Sequence, residues 1–140
     1  MDAYGEIDVR TSSRAQWPIT SDLTGLRRRL ARYADQVGLT GRRRDDLLLA
    51  AHEATINVLE HGGASGTVSV WQDEETLTVD VTDDAGRLTP GDAHRDRPSS
   101  RATRGFGLWL MGQICDEFTI RQVDGRSHVR LRMKLTRDTR

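Results

Sequence analysis

Two hydrophobic periods alternate along the chain and divide it into elements. Residues 4–10 put Ile7 and Val9 on one side of a two-residue repeat, the mark of a half-exposed strand, and Trp17-Pro18-Ile19 then breaks the pattern. From Leu23 the period lengthens: Leu23, Leu26, Leu30, Tyr33 or Ala34, and Val37 predict a helix with Thr20 or Ser21 as N-cap and Gly38 as its stop. Thr40 caps a second helix over about 41–61, ended by Gly62-Gly63. The period then returns to two. Val68, Val70 and Gln72, then Leu77, Val79 and Val81, form a hairpin around Asp73-Glu74-Glu75.

Residues 87–104 have no period, and 18 residues exceed the usual length of a passive connection, so a functional lid or a disordered segment is expected there. Gly105-Phe106-Gly107-Leu108 opens a helix carrying Trp109, Leu110, Met111, Ile114 and Cys115. Two strands, around 118–123 and 128–135, close on Asp124-Gly125, a dipeptide suited to positive φ. The expected fold class is α+β: a two-layer sandwich of one mixed, mostly antiparallel sheet with helices on one face. The expected organisation is one domain over 1–140, with the lid loop at 87–104.

Composition narrows the partners. Twenty-one basic and 21 acidic residues cancel, which argues against direct nucleic acid or an anionic membrane chosen by bulk charge. No apolar run approaches the roughly 18 residues of a span, and the first residues lack a signal pattern, so the expected location is the cytoplasm. A lone Cys115 excludes an internal disulfide framework. Arginines 27, 28, 29 and 32 on the first helix read first as a solvated face and second as a docking surface. A nucleic-acid binder using them with Arg42–Arg44 conflicts with the neutral total.

Candidate chemistry lies on the second helix, where Glu53, Asn57 and His61 stand four residues apart, within about 80° of arc. Singly each is a surface or capping group. Together with the glycines they complement one another. Glycines at a helix start leave N–H groups free for phosphates. An Asn oxygen suits Mg2+. A carboxylate one turn earlier can take a proton from an attacking hydroxyl. Asp84 at a strand end can accept from an exocyclic amino group, with Gly86 letting a base lie against the backbone, and Asp83 leaves that reader open by one residue. The sum is an ATP–Mg2+ site.

Glu53-x-x-x-Asn57-x-x-x-His61-Gly62, then Asp84-Ala85-Gly86, then Gly105-Phe106-Gly107-Leu108 resemble, in order and separation, the boxes of the GHKL ATPase superfamily, with its Bergerat ATP-binding fold. The likeness covers about residues 45–120. The short chain and Gly107–Met111 followed by Cys115-Asp116-Glu117 look most like bacterial anti-sigma factor serine-protein kinases. The resemblance implies Glu53 as general base, Asn57 as Mg2+ ligand, Asp84 at adenine, and Gly86, Arg104, Gly105, Phe106, Gly107 and Leu108 at the nucleotide. It implies a sigma factor and a STAS-domain anti-anti-sigma protein as partners, and a homodimer. The box departs from the family after Gly86, where Arg87-Leu88 lacks the second glycine. His61 reads as structural. A different class of function, a non-catalytic nucleotide-gated protein-binding regulator of the same fold, competes with the kinase.

Overall fold

The computed structural model describes residues 14–60, 65–94, 98–99 and 106–135. The strand read at 4–10, and His61, Gly62, Gly63, Arg104 and Gly105, lie outside them. In chain order the elements are β1 (Ala15–Pro18), α1 (Leu23–Gln36), α2 (Gly41–Glu60), β2 (Gly66–Asp73), β3 (Thr76–Asp83), a 3-10 helix (Pro90–His94), α3 (Phe106–Ile114), β4 (Glu117–Val123) and β5 (Arg126–Lys134). The strands form one sheet in the order β1-β2-β3-β5-β4, and every pairing in it is antiparallel. The α+β class holds, and the described sheet has no parallel pair.

Alternation divides the sheet into two faces. Val68 and Val70, then Leu77, Val79 and Val81, then Val129, Leu131 and Met133 point one way, all at 3% exposure or less. They pack with Leu47, Ala50, Ala54 and Val58 of α2 and Leu30 and Ala34 of α1. α2 crosses β3 and β5 and carries α1 and α3 against it. At about 25 cal/mol per Å2 of apolar area, this layer supplies the main drive for folding. The other face bears Thr67, Ser69, Thr78, Asp80, Thr82, His128 and Arg130, and no described helix covers it, as antiparallel sheets permit.

Three local readings change. Residues 15–18 are a strand rather than a break, because β1 pairs with β2 at Trp17↔Val68 and Pro18↔Thr67, and an edge strand tolerates a residue without an N–H. The cap of α1 is Asp22, whose carboxylate accepts from Gly25 N at 2.9 Å, while Thr20 Oγ1 accepts from Asp22 N at 3.1 Å. The segment after Gly86 is partly ordered: the 3-10 turn is held by Asp92, which accepts from Thr89 N at 2.8 Å, and it packs on α3 and β4. No described helix is long and apolar enough to cross a membrane.

Candidate functional site

Glu53 and Asn57 sit one turn apart on α2, both half-buried, and α2 packs against α3. α3 comes close at Gly107, where a Cβ would stand 2.8 Å from Glu53 Oε1 and 3.4 Å from its Cβ, so a side chain there would push the carboxylate aside, and glycine lets the first turn of α3 lie against it. The free N–H groups of that turn and the helix dipole favour negative charge beside it. Among the described residues, neither the Glu53 carboxylate nor the Asn57 amide has a hydrogen-bond partner. The Glu53 carboxylate is thus presented at a helix N-terminus, whose N–H groups suit phosphate oxygens, while the Asn57 amide oxygen one turn along α2 suits a hard cation. Phe106 is half-buried and Leu108 buried, both within that opening turn.

The Asp83-Asp84 pair splits across the sheet. Asp83 continues the parity of Val79 and Val81, pairs with Ser127, and is 5% exposed on the helix side. Its Oδ1 accepts from Ala85 N at 2.9 Å, which closes the turn. Asp84 points to the open face. There it accepts from Ser65 Oγ and meets Arg126 Nε at 3.3 Å. The structure therefore brings Glu53 and Gly107 together, with Asn57 one turn along α2, Asp83 on the helix side of the sheet and Asp84 on the other.

Gly86 has its own reason to be glycine. Its φ is +66°, and a Cβ there would fall 2.1 Å from the carbonyl oxygen of Gly125, in the β4–β5 turn. Gln122 Nε2 donates to Gly86 O at 2.8 Å and to Leu88 O at 3.1 Å, and Ser127 Oγ donates to Leu88 O at 2.7 Å. The chain leaving β3 is strapped to the last hairpin. No local sequence signal marks Gln122 or Ser127 for this work.

Reasoning from sequence also missed an ionic cluster on the open face. Asp80, 4% exposed, accepts from Arg130 Nε at 3.0 Å and Nη2 at 2.8 Å, and its other oxygen faces His128 Nδ1 at 3.0 Å. Sequence offers only three polar positions in two alternating strands. Cys115, by contrast, supplies no nucleophile: burial, then Asp116 and Asp46, push its thiol up to about 12. Among the described residues no cluster of His, Cys, Asp and Glu could hold a metal by itself, so a metal at Asn57 needs other oxygens.

No curated protein matches the chain. Among solved structures it is similar to the SiaB-SiaC complex from Pseudomonas aeruginosa, with 17% identity, a TM-score of 0.55, and 89% of this chain and 91% of that one covered. That likeness speaks for the fold. Residues 18–133, the span holding Glu53, Asn57 and Gly107, match the model of the histidine kinase-like ATPase domain, and the chain belongs to that family.

Proposed function

We propose that the chain is an ATP- and Mg2+-dependent protein serine kinase of the anti-sigma type, which sequesters a sigma factor and phosphorylates a STAS-domain anti-anti-sigma protein. Family membership implies ATP binding. The observation that carries the finer reading is the Glu53 carboxylate held against Gly107 at the start of α3. A non-catalytic binder has no use for a carboxylate held there with no hydrogen-bond partner among the described residues.

In this reading Glu53 accepts the proton of the attacking serine hydroxyl, and Asn57 Oδ1 holds the cation. The N–H groups of Gly105, Phe106, Gly107 and Leu108 cradle phosphate oxygens, and Arg104 adds positive charge. When bound, Mg-ATP supplies the phosphoryl group. Its adenine is read by Asp83, which is on the helix side, rather than by Asp84. The missing glycine at Leu88 is tolerated because the segment it would loosen is tied to Gln122 and Ser127.

Partner proteins meet α1, whose Arg27, Arg28, Arg29 and Arg32 are exposed, whereas Arg43 and Arg44 of α2 are engaged by Asp116 and Asp35. The similar solved structure is itself a two-protein complex, which supports a protein partner for this chain. The chain acts as a single domain, as a homodimer and in the cytoplasm.

Mixing the protein with Mg-ATP and a STAS-domain partner tests the kinase. Phosphate should reach a serine or threonine of the partner, and Glu53→Gln should slow transfer by about 100-fold or more while nucleotide still binds. Nucleotide binding by wild type with no more transfer than Glu53→Gln shows would leave the nucleotide-gated regulator as the function, and equal, substantial transfer by both would remove Glu53 as the base.

A further inference from the structure

A trough with room for about 360 Å3 lies on the open face of the sheet, away from α2 and Glu53. Arg14 forms one wall, and Arg126, His128 and Arg130 form the other, across a floor that includes Ser69 and Asp80. The floor is built. Asp80 and Ser69 are 4% and 6% exposed, Ser69 Oγ accepts from Gln16 Nε2 at 3.2 Å, and both Asp80 oxygens are committed, one to Arg130 and one to His128. Arg130 is fixed in direction by two hydrogen bonds. Its guanidinium also lies 5.0 Å from the centre of the Trp71 ring, over which Arg14 sits at 4.2 Å.

Charge along the trough does not balance. Asp80 and Asp84 face three guanidiniums and an imidazole, and Arg14 has no acidic partner among the described residues. An oriented guanidinium is a rigid fork matched to carboxylate or phosphate oxygens, and its grip tightens when a buried acid pre-sets it. Ligand pockets are usually mostly apolar. One lined by cations and hydroxyls suits a compact, highly charged ligand.

We propose that this trough is a second binding site, on the side of the sheet opposite the nucleotide, for a small polyanionic metabolite carrying phosphate or carboxylate groups, gripped between Arg14 on one wall and Arg126 and Arg130 on the other. It stands independently of the kinase reading, since none of its residues belongs to the nucleotide site except the disputed Asp84.

The full chain is titrated with inorganic pyrophosphate and, separately, with citrate in Mg-free buffer, following heat and the fluorescence of Trp71 against a Trp71→Phe control. Saturable binding of one probe per chain is expected, and the better probe tells phosphate from carboxylate. Asn57→Ala should leave it unchanged. Arg14→Ala and Arg126→Ala, both at exposed positions that leave the Asp80 cluster intact, should each weaken it at least tenfold. The exposed control Arg28→Ala should not. The site is overturned if neither probe saturates at millimolar concentration, if Arg28→Ala weakens binding as much as Arg126→Ala, or if Asn57→Ala abolishes it. It is equally overturned if sedimentation shows a dimer that Arg126→Ala dissociates while no probe binds, since a second copy of the chain would then own this face.

Discussion

Leu77, Val79 and Val81 share a strand with Thr78, Asp80 and Thr82, yet the two sets hold the molecule together by different means. On the covered side, what matters is that each residue is apolar and of the right volume, because the helices above are close-packed on it and fill a void only in part. On the open side, identity matters pair by pair. Asp80 is worth burying only because Arg130 and His128 stand beside it on β5, 50 and 48 residues away in sequence. The first kind of face depends on apolar volume at every position, and the second on the few side chains that pair across strands.

Substitutions break or sharpen that contrast. Leu131→Ala on the covered face, at 0% exposure, should cost about 2–5 kcal/mol in urea unfolding, with Thr119→Ala on the open face within about 0.5 kcal/mol. Comparable losses would erase the distinction. Asp80→Ala should cost about 1–3 kcal/mol, because Arg130 loses its acid and His128 its hydrogen-bond partner, and a double change with Arg130→Ala should be far from additive. Strict additivity would mean the cluster is ornament. Gly86→Ala should cost about 1–2 kcal/mol, since φ is positive and Gly125 O already occupies the space.

The smallest effect concerns Asp116, which ties α2 to the end of the sheet through Arg43 and the backbone of Lys134. Burial works to raise its pKa, but the Lys134 N–H and the Arg43 guanidinium outweigh it and hold the carboxyl below its usual range. A depressed folded pKa gives stability that is present above the unfolded value near 3.9 and is lost as pH falls through the lower folded value. Acid unfolding curves of wild type and Asp116→Asn should therefore converge below about pH 4 and separate above it. Curves that stay parallel throughout would remove this clasp from the account.

What could be read in the sequence follows the same division. The helices starting at Leu23 and Gly41, the hairpin around Glu74, and the turn at Asp124-Gly125, with φ of 53° and 80°, all announce themselves through periods and turn chemistry within a few residues. β1 did not, because four residues containing a proline become a strand only when β2 supplies the partner. The 3-10 turn at Pro90–His94 likewise exists by packing on α3 and β4. At the site, spacing alone set Glu53 and Asn57 on one helix stripe, and Gly107 could be matched to Glu53 only through the α2–α3 contact. Which of Asp83 and Asp84 turns toward the helices depended on strand register, a single-residue matter that composition cannot decide.

The contact between Gly86 and Gly125 has a consequence for the order of assembly. β3, at the centre of the sheet, takes β5 as its second neighbour, and the turn that leaves β3 is wedged against the β4–β5 turn. During synthesis the turn after β3 therefore stays open on one flank until the last hairpin has left the ribosome. Pairing β3 with β5 closes a loop of more than 40 residues, the slow kind of step in folding. A nascent chain halted before Arg126 would display α2 with its Glu53–Asn57 stripe and still lack the hairpin that pins the turn after β3.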